Sequence, residues 1–336
     1  MIRPDLAPSF EGKRVLITGG LGFIGSNLAR ELVAMGARVV LVDSLIAEYG
    51  GLLYNVAGIE DRVHINISDV RDEHSLRFLV RDQDYLFNLA GQTSHLDSML
   101  DPYTDLEINV RSQLSILEAC RHENPAVKIL FASTRQIYGR PLHLPVDESH
   151  PIAPVDVNGV NKVAGEWFHL LYGNVYGMQT TALRLTNTYG PRMRVRDARQ
   201  TFLGIWLRLA LQGGEILVFG DGSQTRDLTY VDDAVAAFLL AAAREETNGR
   251  TYNLGGEGHV SLLELAELVT AAAGGGTVRL VPFPEDRKSI DIGDFYADFS
   301  AIQNDLGWRP EVSVQDGVRR TLDFYREHGA HYWDGA

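Results

Sequence analysis

Thr18-Gly19-Gly20-Leu21-Gly22-Phe23-Ile24-Gly25 follows the apolar run Arg14-Val15-Leu16-Ile17 and leads into Ile24, Leu28, Leu32 and Val33 at helical spacing. The run reads as a buried strand and the periodic residues as a helix, with a tight glycine turn between them. That order aims backbone N–H groups and the positive end of a helix at one point, which suits a diphosphate. Gly19, Gly22 and Gly25 stand three apart rather than in the G-x-G-x-x-G pattern, and alone they also fit an ordinary strand-to-helix turn. A second strand, Arg38 to Asp43, ends in a carboxylate 24 residues beyond Gly19, placed to accept hydrogen bonds from an adenosine ribose. Together these stretches predict a dinucleotide site. A carboxylate at 43 repels a 2′-phosphate, and Ser44-Leu45-Ile46 brings no arginine to offset it, so NAD is expected rather than NADP.

Further along, Ile46 to Asp61 reads as a loop or broken helix, and Val63-His64-Ile65-Asn66 as the third strand. Asp69 and Val70 are placed to meet the adenine, while Asp69 or Asp72 is suited to cap a helix over 73–81. Tyr85 to Leu89 is the fourth strand, and Ala90-Gly91-Gln92 gives it a compact exit, so Leu89, Ala90 and Gln92 are expected beside the cofactor. Thr93 to Ser98 reads as a polar loop. Asp101-Pro102 opens a long helix with Leu106, Val110, Leu114, Leu117 and Cys120 on one face, and Asn109 is a polar residue within it, expected near the cofactor. Val127 to Ala132 is the fifth strand, with Ser133-Thr134 at its carboxyl end, in the crevice where open α/β sheets bind ligands. A proline-bearing loop, a helix carrying Lys162, Val163, Trp167, Leu170 and Leu171, and a sixth strand at Thr181 to Leu185 come next. This alternation predicts a doubly wound parallel sheet.

Beyond Asn187 the rhythm changes: helices over about 198–211, 231–244 and 261–273, and short strands at 216–219 and 252–254. The expected division is a cofactor-binding domain over 1–186 and a smaller α/β substrate lobe over 187–336, with some segments returning to the first domain. A net charge of −13 argues against general binding to nucleic acid or anionic membranes. The single cysteine, Cys120, permits no internal disulfide and fits a reducing compartment. Met1-Ile2-Arg3-Pro4-Asp5 leads into no apolar export segment and no apolar run approaches the ~20 residues of a membrane span, so a cytoplasmic location is expected.

Taken together, Thr18 to Gly25, Asp69-Val70-Arg71-Asp72, Ser133-Thr134 through Tyr138-Gly139, Leu183-Arg184 through Tyr189-Gly190-Pro191, and Arg226-Asp227 through Asp232-Asp233 resemble, in order, the extended short-chain dehydrogenase/reductases of the NAD-dependent sugar-nucleotide epimerase/dehydratase family. The resemblance implies a Rossmann domain holding NAD and a carboxyl-terminal lobe holding a nucleoside-diphosphate sugar. It implies that Asn187 contacts the sugar nucleotide, with Thr134 and Gln136 near the sugar, and that Arg226 and Arg287 clamp the diphosphate or nucleoside, as guanidinium forks do. It also implies a homodimer packed through the helix after Asp101-Pro102 and the helix containing Lys162, although ordinary core packing explains the same apolar stripes.

In that family a Ser/Thr, a tyrosine and a lysine carry out the chemistry, the tyrosine removing a hydroxyl proton while hydride goes to NAD. Thr134 and Lys162 fill two of the three places; the third is Asn158, and none of the 13 tyrosines is followed by lysine at the fourth position. A carboxamide is no base near neutrality. Arg135 and Gln136 stand where similar dehydratases carry Asp-Glu, which removes the acid/base pair for water elimination. The leading reading is an epimerase with a rearranged proton relay through Lys162, His95 or Asp97. A dehydratase or decarboxylase, with Arg135 meeting a uronic acid, and a catalytically silent NAD-binding sensor are the alternatives.

Overall fold

In the computed structural model, residues 4–46, 48–199 and 201–333 are described; the expectations that fall on Met1-Ile2-Arg3, Ala47 and Gln200 lie outside them. Seven strands form the central sheet: β1 (Arg14–Thr18), β2 (Arg38–Asp43), β3 (Val63–Ile67), β4 (Tyr85–Asn88), β5 (Lys128–Thr134), β6 (Gln179–Leu185) and β7 (Thr251–Asn253). Their spatial order is β7-β6-β5-β4-β1-β2-β3, with every neighbouring pair parallel. The chain builds outward from β1 to β3, then crosses to the other side of β1 to begin β4. The carboxyl ends of β1 and β4 therefore flank the switch point where such sheets open a ligand crevice. Strand alternation feeds two cores, one on each face: Val15 and Ile17 join one, and Leu16 between them joins the other.

Helix α1 (Phe23–Ala34) follows the glycine turn and buries Leu28, Leu32 and Val33, as its spacing predicts. The stretch expected as a polar loop instead forms α2 (His95–Leu100), because Ser94 accepts a hydrogen bond from Asp97 N and caps it. The long helix also differs from expectation. Pro102–Leu106 passes through a π-helical turn, Glu107–Arg111, into α3 (Ser112–Glu123). A π turn holds an extra residue and rotates the side chains before it relative to those after it. Leu106 is consequently exposed, while Asp105, Ile108 and Asn109 face inward. Helix α4 (Val157–Tyr176) is capped by Asp156, whose side chain accepts from Gly159 N, so Asn158 sits in its first turn.

The helix expected from 198 begins at Phe202, capped by Thr201. Among the described residues, three two-stranded pairs stand outside the central sheet: Asn187–Tyr189 with Leu228–Tyr230, Thr225–Arg226 with Val260–Ser261, and Glu215–Phe219 with Thr277–Val281. Thr277–Val281 had no expected strand. Helix α5 (Val231–Ala242) packs behind the sheet and the chain then returns to it as β7. Leu262–Ala273 starts with a Ser261/Glu264 capping box and stops at Gly274, whose φ of 70° is the left-handed cap a glycine supplies. Among the described residues no helix is long and apolar enough to cross a membrane.

Candidate active site

A cavity of about 910 Å³ runs from the carboxyl ends of β1 and β2, past β5, to the segments after residue 186. At its first end Gly19 takes φ 67°, and a Cβ there would lie 3.0 Å from Ala90 N, so the turns after β1 and β4 touch across the switch point. A Cβ on Gly25 would lie 2.3 Å from Gly19 O, so only hydrogen fits where α1 begins. Gly19, Gly22, Phe23, Ile24 and Gly25 line this end together with Asp43, Ser44, Asp69, Val70, Leu89 and Ala90. Asp43 accepts from Leu21 N (3.0 Å) and Leu45 N (2.9 Å); burial pushes its carboxyl up and these donors oppose the shift. Asp69 lines the cavity and is bonded by Arg71, whereas Asp72 is the residue that caps the helix Glu73–Leu79.

In the middle, Ser133, Thr134, Asn158 and Lys162 share the wall. The Ser133 hydroxyl donates to Glu166 at 2.5 Å, and Glu166 pairs with Arg184 at 2.6 Å in a buried network. Thr134 Oγ1 accepts from Gln136 N at 3.2 Å, which leaves its own O–H directed elsewhere. Lys162 Nζ donates to Ala132 O at 3.3 Å and lies 5.3 Å from the Phe131 ring centre. Burial pulls this lysine down to about 8, with the Asp105 carboxylate opposing.

Asn158 is 2 % exposed, and its Nδ2 faces three acceptors: Gln92 O (2.8 Å), Gln92 Oε1 (3.2 Å) and Asp105 Oδ2 (3.0 Å). Three acceptors settle which end of the carboxamide is nitrogen. Its Oδ1 meets no donor among the described residues and remains for the cavity that Asn158 lines. Asp105 Oδ1 meanwhile accepts from Asn161 (2.7 Å) and Asn109 (3.1 Å), so one buried carboxylate gathers three carboxamides. Gln92 and Asn109, expected beside the cofactor, are absent from the cavity wall. Asn109 is fully buried and donates to Gln92 O at 3.0 Å, and both act behind the wall as partners of Asn158 and Asp105.

Toward the other end, His95 Nδ1 lies 2.9 Å from Asp156 Oδ2, and Gln136 Nε2 donates to the same oxygen at 3.2 Å. Arg135 Nε donates to Asn187 Oδ1 at 3.0 Å, and its guanidinium sits 5.2 Å from the Phe295 ring centre. Burial lowers Arg135 to about 9; nearby Arg226 adds to the shift and Asp227 opposes it. Arg226 is held by the carbonyls of Thr225 and Gly293, and Arg287 stacks 5.2 Å from the Phe219 ring centre. Asn187, Gln136, Arg226 and Arg287 all line this part of the cavity.

The NAD dependent epimerase/dehydratase family model matches residues 15–255. The chain belongs to that family. Its cofactor is NAD, and the cradle fits it: the N-terminus of α1, where Gly25 leaves no room for a side chain, would hold a diphosphate, and the Asp43 carboxylate lines the same end of the cavity. The UDP-glucose 4-epimerase of Mycolicibacterium smegmatis is 30% identical over 317 residues, covering 93% of this chain and 98% of that one. The dTDP-glucose 4,6-dehydratase of an Actinoplanes species is 30% identical over 325 residues, covering 93% and 98%. The crystal structure of Thermus thermophilus UDP-glucose 4-epimerase in complex with NAD superposes with TM-score 0.84 at 31% identity, covering 94% of this chain and 99% of that one. Epimerases and dehydratases of the family thus lie equally near.

Two carboxylates of the site went unassigned in the sequence. Asp156 carried a signal, since an aspartate just before a helical run is an N-cap, but nothing local shows that its second oxygen reaches His95. Asp105 carried none, because two of its three partners lie 53 and 56 residues away.

Proposed function

We propose that this member of the family is a nucleotide-sugar epimerase that works without a tyrosine base. The observation that supports the reading is the unbroken cavity, which sets Thr134 and Lys162 between the glycine cradle and the Arg226 and Arg287 guanidinium groups. NAD, when bound, accepts a hydride from a sugar carbon and returns it. Arg226 and Arg287 bind the diphosphate or nucleoside, and Asn187 and Gln136 orient the sugar. Lys162 holds positive charge next to the reacting oxygen, and the Thr134 hydroxyl donates a hydrogen bond to that oxygen as charge grows there, keeping its own proton. Asn158 accepts a hydrogen bond through Oδ1 and carries no proton. Epimerisation is favoured over elimination because Arg135 and Gln136 place no carboxylic acid after Thr134 to protonate a departing hydroxyl.

In this reading the first 186 residues mainly hold NAD and residues 187–336 mainly hold the sugar nucleotide. The chain pairs as a homodimer through α4, whose outer face exposes Val160, Trp167, Leu171 and Val175 at helical spacing. The test is incubation of the NAD-loaded protein with a panel of UDP-, dTDP-, GDP- and CDP-sugars, followed by chromatography and mass spectrometry. A product of unchanged mass and new retention supports epimerisation. Loss of water would make the chain a dehydratase, and absence of turnover with any sugar would overturn the proposal.

A further inference from the structure

We propose that His95, held by Asp156, is the catalytic base and acid that takes the place of the missing phenol. The inference rests on the reading above and supplies the proton carrier that it lacks.

The other polar groups on the central wall are poor carriers. The Asn158 carboxamide has its NH2 turned inward onto Gln92 and Asp105 and can only accept from a hydroxyl. Thr134 is an alcohol, and Lys162 is still an ammonium at neutral pH. His95 has the geometry the task needs. It is the first residue of α2, and Asp156 is the N-cap of α4. The two helices are tied in register where Asn158 N donates to Ser98 Oγ at 3.2 Å. The Asp156 side chain is wholly buried; its Oδ1 accepts from Gly159 N at 2.6 Å, and its Oδ2 faces His95 Nδ1 at 2.9 Å. Burial alone pulls that carboxyl up, but the His95 ring, the Gly159 N–H and the Gln136 amide outweigh it and hold the group below its ordinary range.

Nδ1 also lies 3.2 Å from the Gln136 amide nitrogen, but that amide donates to Asp156 Oδ2; the carboxylate, charged and nearer at 2.9 Å, places the neutral ring's proton on Nδ1 and leaves Nε2 with a free lone pair. Nε2 has no partner among the described residues, and the ring lies, 38% exposed, on the same cavity wall as Thr134, Asn158 and Lys162. The other charged groups on this part of the wall are Arg135, Lys162 and the Asp97–Arg199 pair at 3.4 Å.

In the forward half-reaction the sugar O–H bond breaks and its proton passes to His95 Nε2. The C–H bond on the same carbon breaks with its electron pair leaving as hydride to the nicotinamide of NAD, and a carbonyl forms. In the return half the hydride adds to the opposite face of that carbon and the imidazolium returns its proton to the oxygen. Asp156 stabilises the imidazolium between the two halves and is a positioning residue.

The experiment compares NAD-loaded wild type with His95→Gln, His95→Gly and Asp156→Asn, asparagine being an equally good N-cap. Calorimetry with NAD and with the active nucleotide sugar is expected to give affinities within about threefold of wild type, while His95→Gln loses roughly 100-fold or more in kcat. Added imidazole is expected to restore part of the turnover of His95→Gly. Asp156→Asn is expected to lower kcat at least tenfold with KM changed less than threefold, because the ring is no longer held in one tautomer. In cofactor-free protein, 15N-histidine NMR is expected to show His95 as the Nδ1–H tautomer in wild type and a tautomer mixture in Asp156→Asn. A His95→Gln variant that binds normally and keeps kcat within tenfold overturns the inference, as does an Nε2–H tautomer in wild type. If no nucleotide sugar binds the wild type, the proposed function fails, and the tautomer measurement still decides the dyad.

Discussion

Replacing Lys162 with methionine tests the electrostatics of the site directly. The lysine is 6 % exposed, with a single carbonyl oxygen and an aromatic face for its ammonium, and burial brings its titration from 10.5 to about 8. At pH 7 the folded chain therefore carries this charge at a cost of roughly 3 kcal/mol relative to the unfolded chain. Between about 8 and 10.5 the folded chain has released the proton while the unfolded chain still holds it. The unfolded state binds more protons in that window, so this group makes stability rise with pH there. Methionine keeps the stem and removes the charge. Urea unfolding of cofactor-free wild type and Lys162→Met, measured from pH 7 to 10.5, is expected to give a stability difference (wild type minus variant) that climbs by roughly 3 kcal/mol across the window. Lys128, also lowered to about 8 by burial, and Arg135, lowered to about 9, are common to both proteins and cancel. A flat difference would mean that the ammonium is well solvated, and the reasoning about a desolvated lysine at this site would be wrong.

Asp105→Ala removes the acceptor shared by Asn109, Asn158 and Asn161 and is expected to cost about 3–5 kcal/mol, read as a lower urea midpoint. Asp105→Asn, which keeps one acceptor oxygen, is expected to cost less; equal losses would show that a single acceptor oxygen there holds none of the three carboxamides. Gly25→Ala drives a methyl against Gly19 O and is expected to weaken NAD binding at least tenfold by fluorescence titration, on the order of 1.4 kcal/mol, with unchanged circular dichroism. On the proposed pairing through α4, wild type is expected to sediment as a dimer and Trp167→Glu with Leu171→Glu, which puts charge on the exposed stripe, as a monomer; a monomeric wild type or an unchanged dimer would refute that pairing.

The amino-terminal half was readable wherever the information is local. β2 matches its expected limits, and β1 and β4 differ by one residue at one end, because an apolar run flanked by turn residues is complete within a short window. The long helix misled for a physical reason: a 3.6-residue period carries no sign of the π turn at Glu107–Arg111, which turned Leu106 outward and Asp105 inward. Asn109, polar in a helix, gave no hint of full burial, since its partners Gln92 O and Asp105 Oδ1 compensate for that burial only in the folded chain.

By itself, the sequence determined the strand–glycine–helix cradle, the expectation of NAD, the doubly wound sheet and the absence of a tyrosine four residues before Lys162. Each of these depends on neighbours along the chain. Only the tertiary structure decided which atom of Asn158 faces the cavity, that Asp105 gathers three carboxamides, that Lys162 is desolvated, and that Asp156 reaches His95. Proton affinity and hydrogen-bond direction are set by charges and dipoles within a few ångströms, and in this protein those groups come from helices about 60 residues apart in the chain.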